Sequence, residues 1–194
     1  MSIHQIHQQM MIPQVYRGYT IKDFNEYNGR WTPDDVAKFH QLIIQSTHNR
    51  KNLGLCSTKT KHGKTMLAVA WLTELWITDT IHHTWKDEPE RRFPSLYRFI
   101  DCTDQGEFEQ GFEAAKHFKA LTNSARGIVL DDLGREGKFA SDWFMRIIYW
   151  CHKRGVPIMV TSNMLSAKLE SHYGPNVIRR IDDNGLIVDM EVKG

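Results

Sequence analysis

A chain of 194 residues with 41% hydrophobic content and six tryptophans can bury one compact core and leaves no room for a second sizeable one. Its formal charge of +2 is too small to establish nucleic-acid binding and allows only a local basic patch. No apolar run approaches the ~20 residues of a membrane span. Met1-Ser2-Ile3-His4-Gln5 also lacks a signal-peptide pattern, so a cytoplasmic protein without membrane contact is expected.

Residues 1–12 are rich in Gln and His and read as a flexible, frayed N-terminal arm, with the core domain expected over 13–194. Pro13 to Phe24 carries turn and extended signals. Thr32-Pro33-Asp34-Asp35 opens a helix with a Thr cap, a proline at the first position and acids in the first turn. Val36, Phe39 and Ile43 then follow at helical spacing to about His48. Leu53-Gly54-Leu55-Cys56 reads as a short strand, followed by a polar loop and a helix from about Lys64 to Thr78 that is apolar on most sides. Residues 79–95 read as a long surface connection, and Tyr97 to Cys102 as a second strand. Asp104 with Glu107 opens a helix bearing Phe108, Phe112, Ala115 and Phe118. Gly127-Ile128-Val129-Leu130-Asp131-Asp132 is the third strand. A helix over about Ser141–Arg154 stops at Gly155. Val156 to Thr161 forms a fourth strand, two short helices lie near Ala167–His172 and Asn176–Asp182, and a strand over Leu186–Glu191 follows. Strands separated by helices argue a parallel doubly wound sheet covered on both faces.

Three scattered cysteines, Cys56, Cys102 and Cys151, read as reduced core thiols. Ten histidines include the adjacent pair His82-His83, but neighbours do not share a helix face and no ligand set is spaced around them. Metal binding through histidine is therefore not expected.

The informative stretch is Gly63-Lys64-Thr65, between a strand and a helix. Strand, loop, Gly-Lys-Thr and helix is the context of a phosphate-binding loop. Backbone N–H groups of the loop and of the helix start converge on a phosphate there. Thr58, Lys59, Thr60, Lys61, His62, Gly63, Lys64, Thr65 and Met66 form the candidate nucleotide loop. Lys64 would reach the outer phosphates, and the Thr65 hydroxyl would ligate Mg²⁺. An ordinary strand-to-helix turn is the alternative. Sixty-seven residues after Lys64, Asp131 ends a buried strand and is the second Mg²⁺ candidate. Asp132 would polarise an attacking water, unless the pair merely closes a core strand. Asn163 ends the following strand and could position that water or sense the γ-phosphate, or simply cap a turn. All three groups follow strand carboxyl ends, where such sheets bind ligands.

The order of these parts resembles the AAA+ ATPases of the bacterial helicase-loader group, the DnaC/DnaI type, and their relative IstB, a transposition ATPase. The resembling pieces are Ile12-Pro13 through Thr20–Phe24, Gly63-Lys64-Thr65, Leu130-Asp131-Asp132-Leu133-Gly134, Val160-Thr161-Ser162-Asn163 and Arg179-Arg180-Ile181. The resemblance implies a P-loop NTPase core of AAA+ type, with Lys64 and Thr65 as Walker A ligands of ATP and Mg²⁺. It implies Asp131 and Asp132 as the Walker B metal and catalytic carboxylates, and Asn163 as the first sensor. Arg180, with Arg179 as second choice, is implied as an arginine finger reaching a neighbour's ATP, which makes an oligomer or a helicase ring part of the mechanism. Taken alone, the two arginines could equally be surface residues.

The sequence departs from the family in three ways. Thr58 stands where Walker A has its first glycine, and Lys61-His62 where a glycine and a small residue are usual. If position 58 needs φ > 0, Thr58 strains the loop by on the order of 1–2 kcal/mol, which Lys59 and Lys61 could offset by attracting phosphate. No C-terminal lid domain is expected after the last strand, and little precedes residue 12. That short, lidless form suggests a phage- or mobile-element-encoded version.

The expected function is an ATPase, weak or partner-stimulated, that loads or remodels a replicative helicase on single-stranded DNA. Lys86, Arg91, Arg92, Arg135 and Lys138 are candidate DNA contacts or a solvated face. The alternatives are an IstB-like transposition helper binding duplex DNA and a transposase, and a non-hydrolysing adaptor with a degenerate Walker A loop.

Overall fold

The computed structural model describes residues 1–24, 31–61, 63–82, 93–103, 118–121, 124–136 and 138–190. Five parallel strands form one sheet: β1 (Asn52–Cys56), β2 (Tyr97–Asp101), β3 (Gly127–Leu133), β4 (Ile158–Ser162) and β5 (Gly185–Asp189). Their spatial order is β2-β3-β4-β1-β5. Parallel neighbours need crossovers, and helices on both faces supply them. Six helices are described: α1 (Ile3–Gln9), α2 (Pro33–His48), α3 (Lys64–His82), α4 (Lys138–Arg154), α5 (Ser166–Tyr173) and α6 (Pro175–Asp182).

Alternate side chains of each strand enter two separate cores. Leu53, Leu55, Tyr97, Phe99, Val129 and Met159 pack with α1, α2 and α3 on one face. Cys56, Ile100, Ile128, Leu130, Ile158 and Val160 pack with α4, α5 and α6 on the other. Burial on both faces is why the strands read as near-continuous apolar runs instead of alternating ones. α2 begins as expected, with Thr32 Oγ1 accepting from Asp35 N at 3.2 Å and Pro33 at the first position. Along α3, Met66 to Leu72 is buried without interruption. Trp71 Nε1 donates to Ser46 Oγ at 3.0 Å, which joins α3 to α2. The three cysteines are buried free thiols.

At the amino edge of the sheet, Asn52 is 4% exposed and bonds three ways. Its Nδ2 donates to the carbonyls of Arg180 (3.2 Å) and Ile181 (3.1 Å), and its Oδ1 accepts from Ile158 N at 3.1 Å. This side chain seats α6 against β1 and β4. Gly185 must lack a side chain there, because a Cβ would lie 2.2 Å from the Asn52 carbonyl.

Two expectations are corrected. The first twelve residues are not a frayed arm: α1 carries a Ser2–Gln5 capping box, and Ile6, His7, Met10 and Ile12 are buried. Met10 O accepts from Phe99 N at 2.9 Å, so the segment is bonded to edge strand β2. His7 Nδ1 accepts from Gly18 N at 3.1 Å, and His7 Nε2 lies 2.9 Å from Thr73 Oγ1. Thr73 spends its own proton on Val69 O, so His7 is neutral with its proton on Nε2. Apolar residues spaced at 6, 10 and 12 among glutamines and histidines supply the burial that the polar composition concealed. The second correction is to loop strain. Thr58 does not have a positive φ; Lys61 does, at 59°. The left-handed turn falls three residues later than the missing glycine. Of the helix expected after Asp104, residues 118–121 are helical, and Asp104, Glu107, Phe108, Phe112 and Ala115 lie outside the described residues.

Candidate functional site

The loop after β1 continues the sheet for one residue, since Ser57 N bonds Ser162 O at 3.1 Å. It then turns through Lys61 and Gly63, and α3 starts at Lys64. Gly63 has φ 80°, and a Cβ there would sit 2.5 Å from the Phe24 ring. Glycine is therefore required twice over, by conformation and by the N-terminal segment packed against the loop. Lys64 is 5% exposed, and its Nζ donates to Lys59 O at 3.0 Å and Ser57 O at 3.4 Å. Burial lowers its pKa, opposed by the nearby Asp132 and Asp131 charges.

The two aspartates owe their placement to a β-bulge. Leu130 pairs with Val160 and Leu133 with Ser162, so Asp131 and Asp132 together oppose Thr161 alone. Adjacent strand residues normally face opposite sides. Here Asp132 adopts φ 58°, a left-handed conformation uncommon outside glycine, and both residues bond the same threonine. Thr161 Oγ1 donates to Asp131 Oδ1 at 2.6 Å and accepts from Asp132 N at 2.9 Å. Asp131 Oδ2 accepts from Thr65 Oγ1 at 3.0 Å. Asp132 Oδ1 accepts from Asn163 Nδ2 at 2.7 Å, and its Oδ2 lies 3.4 Å from the Arg135 guanidinium. Burial pushes the Asp131 carboxyl up to about 6, against the lowering effect of the Thr161 hydroxyl.

A cavity of about 230 Å³ opens over these groups. Thr60, Lys61, Gly63, Lys64, Thr65 and Met66 line it from the loop and α3, and Asp132, Arg135, Asn163 and Tyr16 from elsewhere. Asp131 stands behind it, in contact with Thr65. Thr58 and Lys59 are exposed on the outer loop, and His62 lies outside the described residues. The remaining predicted residues are elsewhere. Arg179 and Arg180 are on α6 at the amino edge of the sheet, the opposite side from the loop. Arg179 pairs with Asp183 at 3.8 Å. The Arg180 guanidinium carbon lies 4.8 Å over the Tyr149 ring, and the group donates to Asn176 O. Lys86, Arg91, Arg92 and the side chain of Lys138 lie outside the described residues.

Two site residues were missed by sequence reasoning, and a third was given another role. Thr161 sits inside the Val-Thr-Ser-Asn piece, where the eye goes to Asn163. Arg135 follows Asp-Asp-Leu-Gly directly and reads as a candidate DNA contact or a solvated face, whereas it lines the cavity. Tyr16 belongs to the N-terminal segment, and no local pattern ties it to a loop more than forty residues away.

No family model matches the sequence, and no curated protein matches it. Solved structures do match in fold. A DnaC helicase loader aligns with TM-score 0.66 at 21% identity, covering 92% of this chain and 100% of that one. DnaI aligns with TM-score 0.63 at 16% identity, covering 94% and 96%. The replication initiator DnaA, bound to AMPPCP and single-stranded DNA, aligns with TM-score 0.58 at 18% identity over 90% of this chain and 50% of that one.

Proposed function

We propose that this protein, which has the P-loop NTPase fold of AAA+ type, binds and hydrolyses ATP with Mg²⁺. We further propose that it acts as a helicase loader, placing a replicative helicase on single-stranded DNA as an oligomer or within a helicase ring. The fold shared with DnaC and DnaI supports the loader reading, and the AMPPCP held by DnaA supports a nucleotide ligand.

The observation that carries the proposal is the bulge that places Asp132 on a cavity beside Lys64 and holds Asp131 directly behind it, on the Thr65 and Thr161 hydroxyls. The Lys64 ammonium is held by two loop carbonyls, which the outer phosphates of ATP would replace. The free N–H groups at the start of α3 add to the same anion site. Thr65 Oγ1 and Asp131 Oδ2, 3.0 Å apart, are hard oxygen donors of the kind Mg²⁺ takes. When bound, Mg²⁺ supplies charge neutralisation at the phosphate oxygens. Asn163 holds Asp132 by Oδ1, and Oδ2, which the Arg135 guanidinium faces at 3.4 Å, would accept a proton from water once that contact is exchanged. The water oxygen bonds the γ-phosphorus, the bond to the β–γ bridging oxygen breaks, and ADP and inorganic phosphate leave. Arg180, remote from its own site, is suited to a neighbour's ATP.

The test measures ATP affinity with and without Mg²⁺ for the native chain and Lys64→Ala, alongside thermal unfolding. We expect a folded variant without measurable binding. Unchanged affinity in that variant would remove the phosphate-loop assignment. Retention of a replicative helicase on single-stranded but not duplex DNA then tests the loader role.

A further inference from the structure

We propose that Arg135 is a latch on Asp132 that a nucleoside triphosphate opens and a diphosphate does not. The inference rests on the nucleotide reading above. Arg135 springs from a fixed turn: Gly134 N donates to Glu136 Oε2 at 2.7 Å, and Ser141 Oγ donates to Glu136 Oε1 at 3.1 Å. Glu136, 9% exposed, thus ties the end of β3 to the first turns of α4. From that anchored turn the guanidinium reaches over the cavity wall, with 55% of its side chain exposed.

The Asp132 carboxylate is held from two sides. Asn163 takes Oδ1 at 2.7 Å, and Arg135 faces Oδ2 at 3.4 Å. The first contact is short and the second long, on a half-exposed side chain, so only the second is easily exchanged. A terminal phosphate offers three acceptor oxygens and more charge than a carboxylate, and the planar guanidinium fork prefers it. Lys64 and Arg135 border the same cavity, Lys64 on its loop side and Arg135 on its β3 side. A diphosphate filling the loop ends one phosphate short of the triphosphate's reach towards Arg135. Drawing the guanidinium onto the γ-phosphate releases Oδ2, the oxygen that would take the water's proton, while Asn163 still orients the group. The carboxylate is thereby kept occupied until a hydrolysable nucleotide is in place. Arg135 thus has two roles: it binds the γ-phosphate directly and, by leaving Asp132, frees the carboxylate oxygen.

The experiment titrates the full chain, Arg135→Gln and Arg135→Lys with Mg²⁺ and either AMPPCP or ADP by calorimetry, with unfolding temperatures measured alongside. For Arg135→Gln we expect triphosphate affinity to fall about tenfold or more, as for loss of a charged hydrogen bond, with ADP affinity within about twofold of the native value. Arg135→Lys, which keeps the charge without the fork, should recover part of the triphosphate affinity. Equal losses for both nucleotides would make Arg135 a general attractor of anions and overturn the latch. Unchanged affinity for both would overturn it as well. A native chain that bound neither nucleotide would instead remove the nucleotide reading, a result distinct from either.

Discussion

Asp79 and Asp131 are both buried carboxylates, 1% and 6% exposed, near opposite ends of α3, and they are held in opposite ways. Asp79, at the amino edge of the sheet, receives the Arg50 guanidinium and the Tyr97 hydroxyl, the latter at 2.7 Å. Arg50 also donates to Arg126 O at 3.2 Å, so this network is complete within the chain. Asp131, at the carboxyl edge, receives only the hydroxyls of Thr65 and Thr161, and among the described residues no basic group pairs with it. Hydroxyls satisfy its lone pairs without neutralising its charge, which is why burial drives its pKa up. The same residue type therefore serves as a staple where the fold supplies a cation, and is the proposed metal ligand where it does not.

The sharpest way to break the comparison is to remove each carboxylate. Asp79→Ala leaves the largely buried Arg50 guanidinium and the Tyr97 hydroxyl without their acceptor, and should cost about 3 kcal/mol of stability in denaturant unfolding. Asp131→Asn should leave stability unchanged or raised, because it removes an uncompensated buried charge. A comparable loss from both would mean that Asp131 is structural too.

Arg180 tests the amino edge from the other side. Its Nε is buried with no hydrogen-bond partner among the described residues, and its guanidinium is stowed on Tyr149. As a finger acting on a neighbouring subunit, Arg180→Ala should lower hydrolysis by about 10³-fold with ATP affinity nearly unchanged. Mixing it with Lys64→Ala subunits should restore part of the activity. A monomeric chain whose activity ignores concentration and mixing would return Arg180 to the structural edge.

Within the carboxyl edge the two aspartates should separate. Asp132→Asn should retain ATP and Mg²⁺ and lose hydrolysis by on the order of 10²-fold, whereas Asp131→Asn should lose Mg²⁺-dependent binding. The reverse outcome would exchange their roles.

The smallest effect is on pH. Asp131 has its folded pKa raised from 3.8 to about 6, so the stability this group contributes is present below 3.8 and lost as pH rises through about 6. Metal binding needs the ionised form and runs the other way. Mg²⁺-dependent nucleotide affinity should fall about fivefold between pH 6 and pH 5. His7 acts in the opposite sense. Burial lowers its pKa from 6.5 to about 4, so its contribution is full above 6.5 and is lost as pH falls towards 4. His7→Gln should flatten that part of the unfolding profile.

The strands and most helices were legible because their signals are local. A parallel strand buried on both faces must be an apolar run between turn residues, so β1 and β3, read as Leu53–Cys56 and Gly127–Asp132, match to within a residue at either end. Gly63-Lys64-Thr65 and Asp131-Asp132 were legible for the same reason, each being a short polar signal at the end of such a run. Thr58 misled, because a missing glycine says that the turn has moved but not where, and the positive φ fell on Lys61.

What only the tertiary structure decided depends on partners far away in the chain. The bulge opposite Thr161 determines that two neighbouring aspartates bond one hydroxyl, and no local rule reports a register shift between strands nearly thirty residues apart. Tyr16 and Phe24 reach the loop before α3 because α1 and the turns after it dock on β2 and α3, through Met10, His7 and Gly18. That docking depends on a few buried apolar side chains in a stretch whose composition is otherwise polar. Local composition reports the average solvent preference of a segment, whereas the energy of docking comes from the few side chains that find a complementary surface.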